Sequence, residues 1–124
     1  MHLAYAWIVV HLALRSAAQL GWVLPSLATH ALTVGAIGGL TIGMMTRVAL
    51  GHTGRPLMVA RAIAVAYLLL TFTALLRTFG VAIFPAHYLM TLTIAAITWS
   101  ACFGIFLVVY APILWRPRVD GKSG

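Results

Sequence analysis

The sequence predicts an all-α membrane protein with four transmembrane helices, and two observations carry this prediction. First, 63% of the 124 residues are hydrophobic and 7% are charged, whereas about a quarter of the residues in a soluble domain are charged. Second, four apolar windows of about twenty residues follow one another, and a helix of that length crosses a hydrocarbon core of about 30 Å. The windows cover approximately residues 3–24, 30–50, 57–79 and 88–112. Residues 1–124 are therefore interpreted as one membrane domain with a polar tail at 116–124.

The charge balance indicates contact with lipid. The chain carries eight Lys and Arg residues against a single acid, Asp120, which gives a net charge of +7. In a soluble protein this excess would favour nucleic acid, but here the basic residues lie beside apolar segments, so the bilayer and its anionic headgroups are the expected partner. Because the chain has one acidic residue, general acid/base catalysis by carboxylates is essentially excluded. No Ser/His/Asp set or CxxC motif is present. The sequence predicts no catalytic residue, and whether the protein is an enzyme stays open.

The distribution of basic residues predicts the orientation. Arg77 is the basic residue close to a connection on one face, and six basic residues cluster at the second connection and in the tail on the other. These are Arg47, Arg55, Arg61, Arg116, Arg118 and Lys122. Since cytoplasmic loops carry the excess of Lys and Arg, we expect both termini and the second connection in the cytoplasm, an N-in, C-in topology.

The first apolar window contains an unusual polar stripe. His11, Arg15 and Gln19 are spaced four residues apart and therefore share one helix face. Ionisable groups inside a bilayer are costly and usually face a protein interior or a wet cavity. Arg15 could neutralise a cofactor carboxylate while His11 ligates a metal or relays protons, which would also suit a transporter. Alternatively, both side chains simply bond to backbone carbonyls or to another helix.

The second window is marked by small residues. Gly35, Gly39 and Gly43 recur every four residues, and such a stripe lets a second helix or a flat ligand approach the backbone closely. Packing against a helix is the favoured interpretation. At about 100° per residue, His30 falls on the opposite side of the helix from this stripe.

The second connection reads Gly51-His52-Thr53-Gly54-Arg55-Pro56. We expect Gly51 to be the left-handed residue that ends the helix, and Pro56 to lie in the first turn of the next one. Turn geometry requires no histidine at His52. Together with Arg47 and Arg55, that residue could form a cationic pocket for a carboxylate or a metal.

Residues 30–57, HALTVGAIGGLTIGMMTRVALGHTGRPL, closely resemble the signature near the C-terminus of the NnrS family. These are multi-pass bacterial membrane proteins associated with haem, copper and protection against nitric oxide stress. Residues 2–7, HLAYAW, also look like the histidine-containing entry into the family's preceding helix. The resemblance implies a bacterial inner-membrane protein that binds haem or copper. It makes His30, His52 and His2 candidate ligands, with Arg47 and Arg55 as anion partners.

The resemblance covers the last four helices of an architecture of roughly twelve, so we expect this chain to correspond to its C-terminal part. Ligands from the earlier helices would then come from a longer protein or from another subunit. The alternative function is a cofactor-free structural or assembly subunit of a larger membrane complex. The missing helices and the glycine stripe favour this alternative.

Overall fold

The computed structural model describes residues 2–121, and within this range four helices form a bundle that contains no strand. The helices are α1 (His2–Gln19), α2 (Pro25–His52), α3 (Arg61–Ile83) and α4 (Pro85–Leu114). The first turn of α4, Pro85–His87, is a 3-10 turn. The all-α prediction is confirmed for the described part of the chain.

Three of these helices, α2, α3 and α4, are long and apolar enough to cross a membrane. α1 is not among them, because its 18 residues include His2, His11, Arg15 and Gln19. The helices therefore have the character of a membrane protein. A fourth crossing by α1 stays a prediction.

α1 ends at Gln19, about a turn before the predicted end at residue 24. Gly21 adopts a left-handed conformation with φ 77°. The Trp22 N–H donates to the Ala17 carbonyl at 3.0 Å, and the Gly21 N–H donates to the Ala18 carbonyl at 3.1 Å. This pair of bonds is the Schellman motif that closes a helix. The apolar residues that follow belong to the connection, so hydropathy alone extended the helix too far.

α2 ends in the same way, but at a different glycine from the one predicted. Gly54, not Gly51, has positive φ (69°), so the prediction for Gly51 is wrong. The Arg55 N–H donates to the Leu50 carbonyl at 3.0 Å, and the Gly54 N–H donates to the Gly51 carbonyl at 3.2 Å. Gly51 lies inside the last helical turn, and the helix continues through His52.

The prediction that Pro56 opens the next helix is also wrong, because α3 begins at Arg61. A residue that precedes proline is pushed towards an extended conformation, which here affects Arg55. Residues 55–60 form no regular element, and a bond from the Met58 N–H to the Pro56 carbonyl (2.7 Å) closes a tight local turn. The second connection is consequently longer than the sequence pattern suggested.

The glycine stripe on α2 is the surface on which α1 packs. The two helices run antiparallel, with Trp7 of α1 lying on Gly35 and Ala4 lying on Gly39. A Cβ atom at Gly39 would come within 2.9 Å of the Ala4 Cβ, and one at Gly35 would overlap the Trp7 indole ring. Packing against a helix, the favoured interpretation of Gly35 and Gly39, is confirmed.

α2, α3 and α4 enclose the larger hydrophobic core. Ile42, Ile63, Cys102 and Tyr110 are fully buried at its centre. α3 and α4 run antiparallel, and the hydroxyls of Thr73 and Thr98 share a hydrogen bond of 2.7 Å between them. Burial of this apolar surface stabilises the half of the bundle that lies towards the C-terminal end of α2.

Two helices contain π-helical segments, which occupy Ala31–Ile37 in α2 and Leu76–Gly80 in α3. The two segments contact one another in the half of the bundle that contains α1. π-helical turns are rare and frequently mark functional sites, because the wider turn displaces side chains and carbonyls from their usual α-helical positions.

The tail folds back onto the turn after α2. The Val119 N–H donates to the Thr53 carbonyl at 3.2 Å, and the Asp120 carboxylate lies directly over Gly54, where a Cβ would approach it to 2.7 Å. The tail and the second connection therefore lie at the same end of the bundle. Lys122, one of the basic residues in the orientation argument, lies outside the described residues.

Candidate functional site

His30 lies near the N-terminal end of α2, immediately before the π-helical segment of that helix. Its half-buried side chain lines a cavity of about 70 Å³. Arg77 and Thr78, from the π-helical segment of α3, line the same cavity. His30 therefore faces α3, whereas Gly35 and Gly39 face α1, in agreement with the predicted separation of the two faces.

His52 lies at the opposite end of α2 and is exposed. It borders an open concavity of about 460 Å³ to which Met44, Arg47, Gly51 and Arg118 also contribute. Two guanidinium groups and one imidazole thus share a surface that suits an anionic group. The predicted cationic surface beside His52 is present in the structure, although its members differ from those predicted.

Arg55 is the member that differs, because it does not line the concavity beside His52. Its Nη1 atom is buried and has no hydrogen-bond partner among the described residues. Arg118 contributes instead, and it is held in place by two hydrogen bonds to the Asp120 carboxylate, of 2.9 and 2.6 Å. These bonds raise the pKa of the Arg118 guanidinium. The predicted pairing of Arg47 with His52 is retained, and Arg118 takes the place of Arg55.

His2, at the start of α1, lies beside the middle of α2, because Ala4 of α1 packs against Gly39. Thirteen residues separate Gly39 from His52, which corresponds to about 20 Å along the helix. His30 and His52 are 22 residues apart, which corresponds to about 33 Å. A metal–nitrogen bond is about 2 Å long. These three histidines therefore cannot bind one metal ion together.

The distances between these histidines limit how the chain could bind haem or copper. Among residues 2–121, no group of three or more His, Cys, Asp or Glu side chains could hold a metal ion. Within the described residues, these histidines do not converge on a shared metal site. His30 and His52 can each offer one imidazole, His30 to a cavity and His52 to an open surface.

The remaining histidines have simpler roles. The His11 Nδ1–H donates to the Ala28 carbonyl at 2.8 Å, which joins α1 to α2. This confirms the interpretation that His11 bonds to the backbone of another helix. Arg15 lies on the same helix and is exposed, and His87 is exposed at the start of α4.

Sequence reasoning missed the two most informative polar residues. It used Arg77 only as the basic residue close to a connection on one face, and it did not consider Thr78. The Thr78 side chain is 1% exposed, and its hydroxyl has no hydrogen-bond partner among the described residues. The available signal in the sequence was a cation, Arg77, inside an apolar helix. Local sequence does not predict that His30 lies beside Arg77, nor that the helix contains a π-helical turn.

No curated protein and no solved structure matches the chain. A family model described as NnrS protein matches residues 1–118, nearly the whole chain. The matched region contains all four helices and all five histidines. The chain belongs to the NnrS family.

Proposed function

We propose that this chain is a multi-pass inner-membrane protein that contributes to haem or copper binding in the response to nitric oxide stress. The observation that carries the proposal is His52, in the family-like turn, exposed beside Arg47 and Arg118. An exposed imidazole next to cations matches the donor set for a metal-containing cofactor with acidic substituents. Membership of the NnrS family supports the same function.

Each histidine supplies one ligand in this proposal, because the distances between them exclude a shared site. Helices that precede this region in a longer protein, or another subunit, provide the remaining ligands. When bound, the cofactor supplies the redox and gas-binding chemistry. The residues of this chain would hold and orient it: His52 would bind the metal through an imidazole nitrogen, and Arg47 and Arg118 would contact its anionic groups. His30 is the candidate at the other end of α2.

The expected orientation places the His52 end in the cytoplasm. Its support is the set of basic residues at the end of the bundle where the tail meets the second connection, among them Arg55, Arg61 and Arg116. His11 bonds to Ala28 near the N-terminal end of α2, and Arg15 lies one turn further towards that end of the bundle. Arg15 and Arg77 are therefore basic residues at the end opposite to His52. The end that contains His52 carries the larger number of basic residues, and the positive-inside rule places that end in the cytoplasm.

Fusions at the C-terminus test this orientation. Green fluorescent protein attached after Gly124 is expected to be fluorescent, and alkaline phosphatase at the same position is expected to be inactive. The first folds in the cytoplasm, and the second needs the oxidising side of the membrane. Active phosphatase together with dark fluorescent protein would reverse the topology and place His52 outside.

Absorption spectroscopy separates the two candidate functions. The chain, expressed in bacterial membranes with haem and copper available, would be purified in detergent and measured for a Soret band and for copper by elemental analysis. We expect bound haem or copper that remains through size-exclusion chromatography. A folded chain without either would favour the cofactor-free assembly subunit, which the helix-packing role of Gly35 and Gly39 also supports. Co-purification with a partner subunit would then identify the complex.

A further inference from the structure

We propose that the cavity formed by His30, Arg77 and Thr78 binds a small inorganic monoanion. The cavity lies between the N-terminal end of α2 and the C-terminal end of α3, and Leu24 and Ser26 also line it. Leu24 belongs to the connection between α1 and α2, and Ser26 lies in the first turn of α2, so the cavity lies at an end of the bundle and not at its centre. This inference does not depend on haem or copper binding.

The charge of the site favours an anion. Arg77 is a half-buried cation inside an apolar helix, where an unpaired charge is costly. The single acid of the chain, Asp120, lies over Gly54 at the other end of the bundle and cannot neutralise it. The hydrogen-bond donors among the residues that line the cavity are the Arg77 guanidinium, the His30 imidazole and the hydroxyls of Ser26 and Thr78. A small anion can accept hydrogen bonds from such groups, and its charge is attracted by Arg77.

The Thr78 hydroxyl is the second, independent observation. Eight other threonines, seven in the described helices and Thr53 directly after α2, donate to the carbonyl four residues earlier, a bond that threonine commonly makes in helices. These are Thr29, Thr33, Thr46, Thr53, Thr71, Thr73, Thr93 and Thr98. Thr78 lies in the π-helical segment, is 1% exposed, and makes no such bond. Because Thr78 lines the cavity, its hydroxyl is the donor there that has no acceptor among the described residues.

The size of the cavity restricts the ligand. Its volume of about 70 Å³ admits an ion comparable to one or two water molecules, each of which occupies about 30 Å³ in the liquid. Chloride or nitrate fits within this limit, and a phosphate ester or an organic acid such as gluconate does not. The ligand class is thus a small inorganic monoanion.

Thermal unfolding of the full chain in neutral detergent tests the site, with sodium chloride replacing sodium gluconate at constant ionic strength. A ligand that binds the folded state raises the melting temperature as its concentration increases. We expect a saturable rise with chloride for the wild type. Line broadening of the chloride-35 nuclear magnetic resonance signal measures binding directly. A melting temperature and a line width that do not depend on chloride would overturn the proposal, and only water would then occupy the cavity.

Thr78→Val gives the sharpest test because it removes the hydroxyl and keeps the side-chain shape. The substitution removes a buried hydroxyl that has no hydrogen-bond partner among the described residues. The melting temperature of the variant in gluconate is therefore expected to equal or exceed that of the wild type. Its apparent chloride affinity is expected to fall about tenfold, the usual effect of losing a hydrogen bond to a charged group. An unchanged chloride response in this variant would exclude Thr78 as a ligand and contradict the proposed site.

Two arginine variants complete the experiment. Arg77→Gln is expected to abolish the chloride response, because it removes the charge that attracts the anion. Arg15→Gln removes an exposed arginine from the same half of the bundle and is expected to retain the full response. Equal loss in both variants would mean that chloride acts through the general positive charge of that end, which would overturn a site at Arg77.

Discussion

Replacing Gly39 with leucine is expected to lower the free energy of unfolding by about 3 kcal/mol, the upper end of the usual cost of overpacking a close contact. A Cβ atom at this position would already lie 2.9 Å from the Ala4 Cβ and 3.6 Å from the Ala4 Cα. Since the second of these atoms is backbone, α1 as a whole must move to admit a leucine side chain. Thermal unfolding in detergent, followed by circular dichroism, measures the loss.

Gly104→Leu is the matched control for this substitution. Gly104 lies in α4, and a Cβ atom there would meet nothing within 4 Å. Leucine has the higher helix propensity, so this variant is expected to be neutral or more stable by up to about 1 kcal/mol. Opposite signs for the two variants support close packing of α1 on α2. Equal losses would mean that leucine disturbs any glycine in the bundle, and the specific contact with Ala4 would be excluded.

Replacing His52 with alanine is expected to have the largest effect on cofactor content. If the proposed function is correct, this change removes a direct bond to the metal, and bound haem or copper should fall at least tenfold. Arg47→Gln should weaken binding by about 10-fold to 100-fold or shift the spectrum, as changes in groups around a ligand commonly do. Haem and copper would be quantified at equal amounts of folded protein, because misfolding also empties a site.

His87→Ala is the control, because His87 is also exposed and lies on no proposed site. It is expected to retain the cofactor. His30→Ala distinguishes the two ends of α2: if this variant loses the cofactor while His52→Ala retains it, the ligand lies in the cavity with Arg77. Equal retention in all three histidine variants would exclude both His30 and His52 as ligands of the cofactor.

Local sequence was sufficient for the helices and for the close-packing surface at Gly35 and Gly39. Twenty-residue apolar windows predicted helices that the structure confirms, although their ends moved by several residues. Hydropathy does not record where a helix stops, because the Schellman motif at Gly21 is decided by backbone hydrogen bonds. The same limitation explains why Gly51 was chosen at the end of α2 in place of Gly54. Both glycines suit the motif, and only the observed bonds distinguish them.

The sequence by itself determined that this protein is helical, apolar and basic, and that Gly35 and Gly39 form a surface for close packing. It also contained the signature that places the chain in the NnrS family. These properties are local, since they depend on composition, on a helical repeat or on adjacent residues.

Only the tertiary structure decided which polar groups meet. Arg118 joins Arg47 beside His52 because the tail folds back onto the turn, and Arg77 joins His30 because α3 packs against α2. Each pair is separated by more than forty residues of chain, so no local pattern relates its members. The Thr78 hydroxyl lacks the acceptor that most other threonines of the bundle have, and no local sequence pattern marks this difference. Such contacts arise from the packing of whole helices and of the tail in three dimensions, which is the physical reason that local sequence could not predict them.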